Sequence, residues 1–143
     1  MMKDYTLHTR GGVITERNAD YATVRLRIPA GVLTADQLRQ IARISVKYGD
    51  GSVHLTMRQT AEIPHVNPEN LAKVAKALEK NGTPIGAEQN EVVNIMACPG
   101  TERCKYANCE TIDLARKIDA RVFGKELPIR LRIAISGCTY MCN

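Results

Sequence analysis

The chain has 143 residues, 44% of them hydrophobic and 24% charged, with a net charge of +5. Those proportions belong to one globular domain or two small ones sharing a core, and they exclude a disordered or low-complexity chain. With one Phe, five Tyr and no Trp, recognition by stacked aromatic platforms is disfavoured.

No run approaches the roughly 20 apolar residues of a bilayer span. The opening MMKDYTLHTRGG lacks the apolar segment of a secretory signal. Five cysteines are too few and too unevenly placed for a secreted disulfide scaffold. The expected setting is therefore the reducing cytoplasm, with thiols free to bind metal. No membrane partner is expected.

The cysteines divide the sequence, because all five fall between Cys98 and Cys142. Before them, YATVRLRIP alternates: Val24, Leu26 and Ile28 take one side of a strand, Thr23, Arg25 and Arg27 the other. TADQLRQIARISVKYG predicts a helix, with Thr34 and Gln37 as a capping box, Leu38, Ile41, Ala42 and Ser45 as its stripe, and Gly49 as its stop. GSVHLTMR predicts a second strand with Val53, Leu55 and Met57 inward and His54, Thr56 and Arg58 outward. After Gln59-Thr60 comes a short strand, AEIPHV, whose Pro64 suits an edge or irregular one. NPENLAKVAKALEKNG predicts a second helix, capped by Asn67 and opened by Pro68, with Leu71, Val74, Ala75 and Leu78 buried. A strand around EVVNIMA closes the unit. This β-α-β-β-α-β order is the split βαβ, ferredoxin-like arrangement, which leaves one sheet face uncovered.

The second part opens on the turn CPGT. TIDLARKIDARVFG predicts a helix with Leu114, Ala115, Ile118 and Val122 on one side, and LPIRLRIAIS a strand with Arg130 and Arg132 together on one face. The cysteine spacing is Cys98-x5-Cys104, then 33 residues, then Cys138-x3-Cys142. Thiolates are soft ligands for zinc or iron–sulfur clusters. Structural zinc prefers tighter knuckles, so these looser spacings fit a cubane better, with zinc and unligated thiols as alternatives. His8, His54 and His65 show no metal spacing and read as structural or solvated.

Arg25, Arg27, Arg58, Arg130 and Arg132 spread over three expected strands on their polar sides. Singly, each is an ordinary solvated arginine. Together they make the uncovered face an anion site, since guanidinium stays charged and forks onto oxyanions.

VRLRIPAGV, VHLTMRQTAEI, NIMACPGTERCKYA and LPIRLRIAISGCTYMC resemble, in order, the motifs of the sulfite and nitrite reductase family that couples siroheme to a 4Fe–4S cluster. The resemblance runs from about Tyr21 to Asn143. It implies an α+β fold: a ferredoxin-like half-domain over residues 1–88, then the beginning of a siroheme and cluster domain over 89–143, with more of that domain beyond. It implies Cys98, Cys104, Cys138 and Cys142 as cluster ligands, with Cys142 bridging to siroheme. Arg27, Arg58, Arg130 and Arg132 become the catalytic anion-binding residues. Arg25, Thr56, Arg58, Gln59, Thr101 and Cys142 become cofactor contacts.

The implied activity is reduction of sulfite to sulfide or of nitrite to ammonia, fed by a ferredoxin or flavoprotein. A homodimer or larger assembly is expected, because one chain carries both the basic and the cysteine motifs. The family usually has Lys at the positions of Arg130 and Arg132; Arg there neutralises an anion but does not readily give up a proton. Cys109 matches no family ligand. The rival readings are an electron-transfer protein that reduces no oxyanion itself, and an RNA-binding sheet. The second is weak, because base-stacking strand aromatics are replaced here by Arg, Thr and His.

Overall fold

A computed structural model describes residues 11–143; His8 lies outside the described residues. A four-stranded antiparallel sheet has the order β1-β2-β4-β3. Its strands are β1 (Val13–Thr15), β2 (Ala22–Arg25), β3 (His54–Leu55) and β4 (Ala61–Val66). The hairpin partner β1 is an addition to the sequence expectation.

Helices α1 (Ala35–Tyr48) and α2 (Leu71–Lys80) cover one face. Thr34 and Gln37 do form the reciprocal capping box, which satisfies two otherwise unpaired N–H groups. Asn67 accepts from Glu69 N–H, but Pro68–Asn70 form a 3-10 turn before α2 begins. The core between helices and sheet is apolar: Val24, Leu26, Ile41, Ile63, Val74 and Leu78 are all 0% exposed. In α1 the buried positions are Ile41, Ile44 and Ser45; Leu38 stays 51% exposed.

The strand expected around EVVNIMA does not close this sheet. The chain after α2 instead crosses β2 briefly through a Leu26–Ile85 bridge, with Gly86 N–H bonded to Arg25 C=O at 2.9 Å. It then turns away. β5 (Met96–Ala97) pairs in parallel with β6 (Ala134–Ile135), and helix α3 (Ile112–Val122) lies between them in sequence. Parallel neighbours need such a crossover. A second apolar cluster forms here around Val92, Ile95, Ile112 and Ala115, and Ala30 joins it from the first unit.

Leu55 and Met57 also depart from expectation. They are 73% and 98% exposed, because β3 is only two residues long and lies at the sheet edge. No helix among the described residues is long and apolar enough to cross a membrane.

Candidate functional site

The parallel pairing of β5 and β6 releases two cysteine-bearing loops at one end of the small sheet. Cys98 follows β5 and Cys138 follows β6. Gly137 N–H donates to Cys98 Sγ at 3.1 Å, and Asn108 N–H donates to Gly137 C=O at 2.8 Å. Tyr106 and Tyr140, one from each loop, meet edge to face with centroids 5.6 Å apart.

Gly100 makes the first loop's turn at φ +61°, and a Cβ there would lie 2.5 Å from Thr111 Oγ1; a larger residue does not fit. Burial pushes the Cys98 thiol up, but hydrogen bonds from the Gly100 and Gly137 backbone, with Thr111, outweigh it. The net shift is below the ordinary thiol value, which favours the thiolate.

All five cysteines are free. Cys98 is buried, Cys104 and Cys138 are half-buried, and Cys109 and Cys142 are exposed. The loops come together, yet among the described residues no three Cys, His, Asp or Glu side chains gather closely enough to hold one ion. The exposed Cys109 touches this region through its backbone, accepting from Thr101 N–H at 3.2 Å.

A cleft of about 570 Å³ opens beside this unit on the uncovered sheet face; its polar lining is Arg25, His54, Thr56, Arg58, Glu62 and Arg132. Leu55, Met57 and Met96 supply apolar walls. The register sets Arg25 opposite Glu62 and His54 opposite Glu62 on the other side of β4. Arg25 Nη1 also reaches Glu88 Oε2 at 2.7 Å, and Arg58 pairs with the same carboxylate. His54 Nδ1 lies 2.8 Å from Glu62 Oε2.

Burial alone would raise Glu62, but His54 and Arg25 hold its carboxyl below the usual value. Burial would lower Arg25, but Glu88 and Glu62 raise it overall. The expected site thus contains two acidic partners that the sequence reading missed. Glu62 is visible only once the β2–β4 register is known, and Glu88 comes from a segment without secondary structure.

Arg27 is placed elsewhere. It is 2% exposed, because α3 roofs the sheet there. Its guanidinium pairs with Asp119 at 2.6 Å, donates to Val92 C=O at 2.6 Å, and lies 4.7 Å from the Phe123 ring centre. The expectation that Arg27 faces the open cleft is therefore corrected: Arg25 occupies that position. Arg58 and Arg132 line the cleft. Arg130 is exposed nearby and donates to Glu88 C=O at 3.3 Å.

Thr56 accepts from Arg58 N–H at 3.2 Å, which shapes the turn that carries the arginine. Gln59 spends its amide on backbone: Oε1 accepts from Ala97 N–H at 2.8 Å and Nε2 donates to Ala97 C=O at 2.9 Å. The arginine turn is thereby fastened to the residue before Cys98. Thr101 lies in the first cysteine loop and bonds Glu110, away from the cleft lining.

Two family descriptions match this chain: the nitrite/sulfite reductase ferredoxin-like half domain over residues 7–81 and the nitrite and sulphite reductase 4Fe-4S domain over residues 88–143. An uncharacterized protein of Methanocaldococcus jannaschii is 33% identical over 137 residues, 96% of this chain and 48% of that protein. An anaerobic sulfite reductase subunit from Salmonella typhimurium is 32% identical over 85% of this chain and 40% of its own length. The ferredoxin–nitrite reductase of Synechococcus elongatus is 30% identical over 92% of this chain and 26% of its own. The chain thus spans about half or less of these relatives. A dissimilatory sulfite reductase I structure superposes with a TM-score of 0.77 at 22% identity, covering 85% of this chain and 30% of that one. The Mycobacterium tuberculosis NirA structure gives 0.74 at 22%, covering 86% and 24%.

Proposed function

The chain belongs to the nitrite and sulfite reductase family, and from that premise we propose that it forms the anion-binding and cluster-binding part of an enzyme reducing sulfite to sulfide or nitrite to ammonia. One observation carries this reading. Gln59 joins the arginine-bearing turn to Ala97, the last residue of β5 before Cys98, so the cleft and the first cysteine loop are tied together.

Cys98, Cys104, Cys138 and Cys142 are the residues that would hold a 4Fe–4S cluster, with Cys142 shared with siroheme. The donor set fits a thiolate-bound group, since backbone N–H groups already stabilise negative sulfur at Cys98. When bound, the cluster and siroheme supply electron storage and an iron with an open position. The difficult redox chemistry is theirs.

The chain's own contribution is electrostatic. Arg25, Arg58, Arg130 and Arg132 offset the charge of the oxyanion and of siroheme carboxylates, with Thr56 shaping the turn. Preorganised charge of this kind is usually the largest protein term in such chemistry. Arg27 serves by holding α3 against the sheet. Leu55, Met57 and Met96 offer the apolar surface that a macrocycle needs. Residues 1–88 act as the ferredoxin-like unit and 89–143 as the start of the cluster unit.

Reducing equivalents come from a ferredoxin or flavoprotein, in the cytoplasm. Two copies of the chain, or a larger assembly, complete the walls of the site; a monomer in sedimentation that still holds both cofactors contradicts that point. The test of function is an anaerobic visible spectrum after expression with siroheme and iron available. A porphyrinoid band set that shifts with sulfite or nitrite is the expected result. A folded, colourless protein overturns the proposal.

A further inference from the structure

Oxyanion reduction consumes protons as well as electrons. Each oxygen that is removed leaves as water. The S–O or N–O bond breaks, two electrons go to the sulfur or nitrogen centre from the reduced donor, and two protons form the O–H bonds. The cleft must supply those protons.

Its three arginines, Arg25, Arg58 and Arg132, are poor sources, because guanidinium does not deprotonate in proteins. Glu62 is held as a carboxylate by Arg25 and His54 and carries no proton near neutrality. Glu88 stands behind Arg25 and Arg58, with its side chain only 9% exposed. Thr56, Leu55, Met57 and Met96 do not titrate. That leaves His54, the one imidazole in the lining, and histidine is the side chain whose charge changes between about pH 5 and 8.

We infer that His54 is the proton donor of the cleft, passing the Nε2 proton to an oxygen of the bound oxyanion; the inference rests on the reductase reading above. The geometry fits the role. The Nδ1 side is fixed by Glu62 Oε2 at 2.8 Å, so Nδ1–H points into β4 and Nε2 is turned outward. That contact holds the ring in one orientation. The imidazole is 66% exposed, so water reloads Nε2 after each transfer. Glu62 is a positioning residue, linking His54 to Arg25 through its two oxygens.

The experiment uses the cofactor-loaded protein, with reduced viologen as donor and sulfite or nitrite as substrate, comparing wild type, His54→Gln and Glu62→Gln across pH. Each protein is first titrated with substrate by visible absorption. The expected result for His54→Gln is a normal spectrum, a substrate-induced shift within about threefold of wild type, and kcat lower by about 10²-fold, the lower end of general acid catalysis. The histidine limb of the kcat profile is lost. Glu62→Gln keeps the substrate-induced shift but lowers kcat, because the ring has lost the acceptor that orients it. If His54→Gln keeps both kcat and the limb, the inference is overturned. If Glu62→Gln leaves kcat unchanged, the positioning role is overturned. If wild type shows no substrate-dependent shift, the reductase reading itself has failed, an outcome separate from the other two.

Discussion

The two faces of the antiparallel sheet are held together by different physics. Under α1 and α2, Val24, Ile63, Val74 and Leu78 exclude water completely, and stability comes from apolar burial and packing. On the opposite face, Arg25, Glu62, His54, Arg58 and Glu88 form a charged chain. That face is itself divided. At Arg25 it stays open as a cleft; at Arg27, two residues on, α3 closes over it. One short stretch of chain thus carries an arginine that lines the cleft and one that is buried, and only the roof distinguishes them.

The largest effects test the closed regions. Asp119→Ala leaves the Arg27 guanidinium buried and unpaired, and is expected to cost about 3–5 kcal/mol in urea unfolding. Leu78→Ala, under the helices, is expected to cost about 2–5 kcal/mol in the same measurement. Gln59→Ala removes both hydrogen bonds to Ala97; at about 0.5–1.5 kcal/mol each, it loses about 1–3 kcal/mol. It also loosens Cys98, read as faster cluster bleaching in air.

The smallest effects belong to the open face. Leu55→Ala, at a site already 73% exposed, is expected to change stability by no more than about 0.5 kcal/mol in the same denaturant series.

The charged face also gives an acid signature. Glu62 is depressed below its ordinary value of 4.5 when folded. Its contribution to stability is therefore fully present above about pH 4.5 and is lost as pH falls through the lower folded value. Glu62→Gln removes that part of the acid sensitivity. An acid unfolding curve unchanged by the substitution contradicts the ion-pair assignment.

The alternation of YATVRLRIP announced β2, and Thr34 with Gln37 announced the start of α1, because caps and periodicity are local. The cysteine spacing pointed to a paired-loop arrangement, and the structure brings the loops of Cys98 and Cys138 together. The fate of EVVNIMA was not legible: an apolar run fits either sheet, and only the distant β6 decides between them. Leu55 and Met57 misled because alternation marks an apolar side without saying whether a helix reaches it. Arg25 and Arg27 look equivalent in sequence, and α3, some 90 residues later, separates them. Glu88 gave no signal, since its pairing depends on one arginine from β2 and another from the turn after β3.

The most direct test is a sulfite and nitrite titration of the cofactor-loaded protein by visible absorption, comparing Arg25→Met with the paired replacement Arg27→Met/Asp119→Leu. Replacing a buried ion pair as a unit avoids leaving a charge unpaired. Arg25→Met is expected to weaken anion binding by about 10- to 150-fold, the worth of a hydrogen bond to a charged group, while the paired replacement binds as wild type does. Binding lost in the paired replacement and retained in Arg25→Met would contradict the account.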